Sequence, residues 1–443
     1  MNTSSDLKVI VSNGFNRFPL SRVAAEMHKR GLLARFITGA YPTPAVRRLA
    51  ALTRFDHWSG KAARLLDRGE KELPDDLVAP LWLSEAAYLF QAPVRRLGWP
   101  KEWVEDDLIA ERACRIYGFQ AASYVAETPA QIYHYRSGFG YNSVQVAKRK
   151  GMVAVCDHSI PHPAVLAHVI DTHGKLPPPG CKGPINRFWR SVLEDLDQAD
   201  AAIVASEFVK ETFIHQGWDP ARLHVAYFGI DDKFLDRIPE RPHITSYSEQ
   251  PIRFLFSGEW GWRKGSDLLA EAFRRITDVP WTLEVTGGVD PTIDPVVSAF
   301  LREPHVHYWG LLPTRAEVLA RMNAADVFIF PSLAEGSARV TAEAMACGCY
   351  MITTPNACDI VKDGVNGNLV PAGDIEALEG AIRFAIGNRH ILRAIGLRNA
   401  ELIRSHYRQS DYGDALATLY SALLADRSNA QPSSTSPSIS AAI

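Results

Sequence analysis

The sequence predicts an α/β protein built of two Rossmann-like domains, and three observations carry that expectation. Its 443 residues suffice for two to three domains with sizeable cores. A strand, Leu7 to Ser12, turns at Gly14 into a helix-like stretch, Leu20 to Arg30, and then into a second strand, Ala34 to Thr38. That strand-turn-helix-strand order opens a Rossmann unit. The same alternation restarts at Ile252, after a Pro/Ser/His-rich stretch at 237–250 that reads as an interdomain linker.

Composition narrows the class. Apolar residues make up 47% and charged ones 22%, ordinary for a globular chain. A formal net charge of −2 provides no basic field, so no nucleic acid partner is expected. Six cysteines (114, 156, 181, 347, 349 and 358) lack paired C-x2-C spacing. The Cys347/Cys349 pair is too tight for the usual zinc pattern, and all six read as reduced thiols. Five polar or small residues precede the first strand, which does not read as a signal peptide. No apolar run approaches the roughly 20 residues of a membrane span. The expectation is a cytoplasmic protein.

In the first half, only Gly14 marks the opening turn, so the dinucleotide fingerprint is absent and NAD is not expected. A long insertion, about 41–125, carries Trp82, Trp99 and Trp103 and is the expected home of specificity, since loops on a fixed scaffold carry such variation. Within it, 45–68 sets six Arg and Lys residues against Asp56 and Asp67, interleaved with Leu, Phe and Trp. It reads first as a pair of surface helices. The alternative is peripheral contact with an anionic membrane at its inner face. Alternation resumes with strand Gln131 to Arg136, helix Tyr141 to Arg149 and strand Met152 to Cys156, which delivers Asp157 and His158. Ligands in open α/β sheets bind beyond the carboxyl ends of strands, so His158 is a candidate, with His162 a weaker substitute. A histidine at such a place is also often purely structural. Residues 161–184 read as a mobile Pro/Gly/His-rich loop whose histidines lack metal-helix spacing. Asp195 and Asp197 form a D-x-D pair mid-helix, within Asn186 to Gln198. Residues i and i+2 diverge by about 200° there and cannot chelate one ion together. Strands follow at Ala201 to Ala205 and His224 to Tyr227.

In the second half, strand Ile252 to Ser257 runs into a Gly258-to-Gly265 loop with Arg263 and Lys264 next to a helix starting at Ser266. Cations at a helix start oppose the dipole, so their presence there points to an anion, a diphosphate being the obvious candidate. Strand Trp281 to Thr286, the stretch from Val306 to Leu312, and helix Arg315 to Asn323 come next. The stretch everything else serves follows strand Ala325 to Phe330. It is a loop with Pro331 and Gly336, then a helix from about Ser337, with Glu335 on the loop and Glu343 eight residues on. A loop-to-helix junction offers backbone N–H groups and a positive dipole end to phosphate. Two carboxylates beside it suit hydroxyls. Sugar plus phosphate is the simplest ligand needing both, although spacing alone also fits an ordinary helix with a solvated glutamate. Strand Tyr350 to Thr353 and helices 374–387, 390–406 and 412–424 complete the folded part, and 426–443 reads as a disordered tail.

The run from Pro331 to Gly348 resembles the P-S-x-x-E-G-x6-E-A-M-A-x-G signature of family-four retaining glycosyltransferases at every fixed position. Three other segments resemble the same family: Gly258 to Gly265 (its G-R-x4-K-G loop), Phe228 to Phe234, and Asp359 to Val370. The resemblance implies a GT-B fold, with an acceptor-side domain over 1–236 and a nucleotide-sugar domain over 251–408. A helix at 409–425 would return to the first domain. It implies transfer of a sugar from a nucleotide diphosphate sugar to a glycan or lipid-linked acceptor, needing no metal or other cofactor. By resemblance, Arg263, Lys264 and the N–H groups of Ser337, Ala338 and Arg339 hold the diphosphate. Glu335, a catalytic candidate, holds sugar hydroxyls, Gly336 belongs to the donor-binding set, Glu343 meets the ribose, and Leu312 the base. Acceptor specificity is left to the insertion at 41–125. Gly14 lets the first domain's backbone approach the ligand, and His158 acts near the reacting sugar. The departures are Glu259 for Arg, Ser337 and Ala338 for Phe-Gly, Tyr350 for Pro, and Asn356 and Ala357 for Gly-Gly. The rival activities are a GT-B epimerase and a phosphorylase, and the departures at Glu259, Ser337 and Ala338 motivate a partner that kept the fold and lost activity.

Overall fold

The structure is a computed structural model that describes residues 7–15, 19–52, 65–66, 68–70, 72–89, 106–180, 183, 185–239, 241 and 251–430. Most of the expected membrane-facing segment (53–64 and 67), Trp99, Trp103, Cys181, linker residues 240 and 242–250, and tail residues 431–443 lie outside the described residues.

Two parallel sheets form, both in Rossmann order. The first has seven strands: β1 (Val9–Ser12), β2 (Leu33–Thr38), β3 (Val78–Pro80), β4 (Ile132–Arg136), β5 (Val153–His158), β6 (Ala201–Val204) and β7 (Leu223–Val225). Their order is β3-β2-β1-β4-β5-β6-β7. The second has six: β8 (Ile252–Ser257), β9 (Trp281–Thr286), β10 (Val306–Gly310), β11 (Val327–Phe330), β12 (Tyr350–Thr353) and β13 (Gly367–Leu369). Their order is β10-β9-β8-β11-β12-β13. In each sheet the order reverses beside the first strand, at β1/β4 and at β8/β11. The crevice beyond the carboxyl ends of the strands at such a switch point is where ligands bind. Central strands are buried on both faces, which is why β11 reads as an unbroken apolar run.

By contacts, the chain divides into two compact units. One comprises 1–156, 192–200 and 413–443, and the other 157–191 and 201–412. In the first, the helix Arg187–Asp197 ends by delivering Asp195, whose buried carboxylate accepts N–H bonds from Gly138 (2.8 Å), Gly140 (2.9 Å) and Tyr141 (2.6 Å). The D-x-D pair thus lies in the last turn of this helix rather than mid-helix, and its first member holds the loop after β4. The final helix, Gln409–Ala430, runs into the stretch expected to be tail. Tyr420 on it meets buried His134 on β4 at 2.6 Å, and Arg427 donates to the Met152 carbonyl at 2.9 Å. Part of the basic 45–68 segment is the helix Pro44–Leu52. Arg47 forks onto Asp75 and Arg68 pairs with buried Glu85 at 2.5 Å, so these two cations serve internal contacts. Among the described residues no helix is long and apolar enough to cross a membrane. All five described cysteines are buried free thiols.

In the second unit, β8 to β13 and their helices enclose one large apolar core around Phe254, Phe256, Trp260, Phe273 and Phe330. The stretch 161–184 is not wholly loop. A helix, Pro163–Asp171, forms in it because Pro163 sits at a first-turn position and His162 Nδ1 accepts the Ala164 N–H.

Candidate functional site

The site is built where β8 and β11 part. After β8, Gly261 leads into a short 3-10 turn, Trp262–Lys264, that presents Arg263 and Lys264. Gly265 closes the turn at φ +67°, and a Cβ there would lie 2.3 Å from the Pro331 carbonyl oxygen. Only glycine satisfies both the backbone angle and that close approach. After β11, the chain 331–338 runs alongside. The Leu333 N–H donates to the Arg263 carbonyl (2.9 Å), stitching the two loops together.

Three side chains converge on one atom, Glu335 Oε1. Arg263 Nη1 donates to it at 2.7 Å, Lys264 Nζ donates to it, and Ser332 Oγ lies 2.8 Å away. The Glu335 side chain is 11% exposed. Burial lowers the Lys264 pKa, opposed by the Glu335 carboxylate, and its ammonium sits 5.0 Å from the Phe330 ring centroid. The cluster holds two cations and one carboxylate, leaving one positive charge over. Glu259, at the place of the family's arginine, is exposed and adds a negative field at Lys264.

The second carboxylate sits eight residues on. Glu343 accepts from Arg315 Nη2 at 2.7 Å, and Arg339 Nε lies 3.5 Å from the same oxygen. The helix bearing it is Arg339–Ala346, beginning two residues later than expected, with no side-chain cap at Ala338. The turn that replaces Gly-Gly explains part of this. The Asn356 carbonyl takes the Glu335 N–H (2.9 Å), and the Ala357 carbonyl takes the Ala338 N–H (3.2 Å). Ala338 is therefore removed from the set of N–H groups expected to hold a diphosphate. Tyr350, in place of proline, donates to Asn368 Oδ1 at 2.7 Å and ties β12 to β13.

The structure brings His158 to this loop. It is the last residue of β5 and 1% exposed. A Cβ on Gly336 would fall 1.6 Å from the carbonyl oxygen of Ser159, the next residue. Ser206 Oγ also donates to the Gly336 carbonyl at 2.5 Å. The rings of His158 and His162 both pack edge-on to Phe213, at 5.1 and 5.0 Å. Burial pushes His162 down to about 4, which marks it as a neutral capping residue. Leu312 is half-buried in the loop between Gly310 and the helix Arg315–Ala324. Gly14 lies in the other unit, at the β1/β4 switch point. Its N–H donates to Tyr117 Oη at 3.1 Å, and the Phe139 ring fills the place of a Cβ. A packing role accounts for that glycine.

Sequence reasoning did not single out Ser332 and Arg315. Ser332 stood in the matched motif as a fixed position without a role. Arg315 directly follows Thr314, whose T-x-x-E pattern with Glu317 is a capping box that could have flagged the helix start. Among the described residues no group of three or more His, Cys, Asp or Glu is placed to hold a metal ion.

Comparison with known proteins places this geometry. Residues 251–388 match the family described as glycosyl transferases group 1. Alpha-maltose-1-phosphate synthase of Mycolicibacterium smegmatis is 29% identical over 212 residues, 44% of this chain and 54% of that protein. The chain thus spans about half the length of the curated relatives it matches. Among solved structures, sucrose-phosphate synthase from Thermosynechococcus elongatus aligns over 95% of this chain and 100% of its own. Its TM-score is 0.63 and its identity 17%. Anabaena HepE in complex with UDP aligns over 94% of this chain and 100% of its own, with a TM-score of 0.59 and 14% identity. At such identities the likeness establishes the fold.

Proposed function

We propose that the chain, whose residues 251–388 match the family of glycosyl transferases group 1 and whose fold is GT-B, is a retaining glycosyltransferase. It moves a sugar from a nucleotide diphosphate sugar to an acceptor hydroxyl, without a metal, in polysaccharide or glycoconjugate biosynthesis. The observation carrying this reading is the convergence of Arg263, Lys264 and Ser332 on Glu335 at the β8/β11 switch point. Glu335 offsets one of the two positive charges and leaves the other for an anion. A diphosphate would take over Arg263 and Lys264 and stabilise the leaving-group charge, work worth several kcal/mol when the donors are preorganised. Glu335, relieved of the cations, would then accept sugar hydroxyls. The N–H groups of Ser337 and Arg339 would add to the phosphate cradle, Leu312 would border the base, and Glu343 would hold the ribose. His158 would act on the sugar side of the loop. No protein nucleophile is placed by this scheme. The leaving phosphate would assist deprotonation of the acceptor on the face it departs from.

The test is turnover of UDP-, GDP- and ADP-sugars with candidate acceptors, with and without EDTA, and NMR of the product anomer. One donor consumed equally in EDTA, with its anomeric configuration kept, is the expected outcome. An inverted product or an EDTA-abolished rate would overturn the mechanism. We also propose peripheral attachment through 45–68 at the cytoplasmic membrane face, which predicts co-sedimentation with anionic but not neutral vesicles.

A further inference from the structure

We propose that Arg315 is a positioning residue that fixes the Glu343 carboxylate for the ribose of the donor nucleotide. This rests on the donor site proposed above. Arg315 and Arg339 are each the first residue of a helix, Arg315–Ala324 and Arg339–Ala346. A cation there is opposed by the helix dipole, so two such arginines aimed at one carboxylate oxygen need a reason. Arg315 Nη2 reaches Glu343 Oε1 at 2.7 Å, whereas Arg339 Nε stands off at 3.5 Å. The nearer contact is the charge-assisted hydrogen bond that sets the carboxylate's direction. Arg315 is itself held: Thr314 and Glu317 cap its helix, and its guanidinium lies 5.3 Å from the Phe234 ring centroid. At 54% exposure it contributes little to the core, while Glu343 is only 14% exposed. With Arg315 anchoring Oε1, the second oxygen, Oε2, is the one left to accept hydroxyls. Without Arg315, the remaining cation is Arg339, one helical turn back along the same helix. It would draw the carboxylate toward its own side chain and away from the ribose.

The experiment is calorimetric titration of the full chain with UDP, GDP and ADP, and with the 2′,3′-dideoxy counterpart of whichever binds. Wild type should prefer the ribose form. Arg315→Ala should weaken the ribose form about tenfold, the worth of one oriented charge-assisted bond, and leave the dideoxy form unchanged. Arg315→Lys should recover part of the loss. Arg315→Ala combined with Glu343→Ala should bind no more weakly than Glu343→Ala alone. Equal weakening of both nucleotide forms would assign Arg315 a merely structural role and overturn the proposal. So would an undiminished ribose preference in Arg315→Ala. If wild type binds none of the three diphosphates, the donor-site reading itself falls and the proposal with it.

Discussion

Asp195 shows how much one residue can decide. Its two oxygens face three backbone N–H groups of the loop after β4, including that of Tyr141, a non-glycine residue at φ +41°. Backbone held in that region costs energy and persists only where neighbours enforce it. Asp195→Asn must turn an NH2 toward at least one of those donors, so it should lower stability by about 2 kcal/mol in urea unfolding. Burial raises its carboxyl to about 6. The native state therefore keeps a proton that the unfolded chain has released, and stability from this group falls as pH rises from about 4 to 6. The histidines act in the opposite direction. Burial lowers His134 to about 3 and His162 to about 4, so below about 6.5 only the unfolded chain takes their protons. Each group contributes at most about 1.4 kcal/mol per pH unit, and two histidines outweigh one aspartate. Unfolding free energy should thus fall by about 1.4 kcal/mol per unit between pH 6 and 4. His134→Gln should nearly flatten that slope, and a profile flat in wild type would refute the assignment.

At the scale of elements, the loops at the β8/β11 switch point are held by close backbone approaches that tolerate no side chain. Gly336→Ala would press a methyl onto the Ser159 carbonyl, and Gly265→Ala onto that of Pro331. A displacement of about 1 Å in a catalytic loop costs on the order of a hundredfold in rate, and each variant should lose donor turnover by that factor. Retained turnover in both would place the chemistry elsewhere. The elements themselves were largely legible in the sequence. Strands 252–257, 281–286 and 350–353 end where expected, because their β-branched and aromatic residues give way within two residues to a Gly or Pro turn. The helix Pro163–Asp171 was hidden because Pro163 and two flanking histidines make a loop-like composition, yet a proline at the first turn starts a helix well. The helix bearing Glu343 begins late because Ala338 offers no cap and its N–H is already spent on Ala357. Strand β3 has only three residues at a sheet edge, too few for any period to show. The pairing of Glu335 with Arg263 and Lys264 joins residues some 70 positions apart, and only the switch-point topology reveals it.

Over the whole molecule, the two sheets repeat one strand order, and each keeps its chemistry or its packing at the point where that order reverses. Glu335, Glu343, Arg263, Lys264, Leu312 and His158 all belong to the unit of 157–191 and 201–412. Gly14 and the loop held by Asp195 occupy the matching point of the other sheet. The central claim is that the cluster on Glu335 binds and activates a nucleotide sugar. Its most direct measurement is nucleotide release by the purified chain from a panel of UDP-, GDP- and ADP-sugars, beside Glu335→Ala and Lys264→Ala. The prediction is slow hydrolysis of one donor, reduced at least about a hundredfold in both variants while their melting temperatures stay near that of wild type. Release that survives in both variants, or no release from any donor with acceptors present, would contradict it.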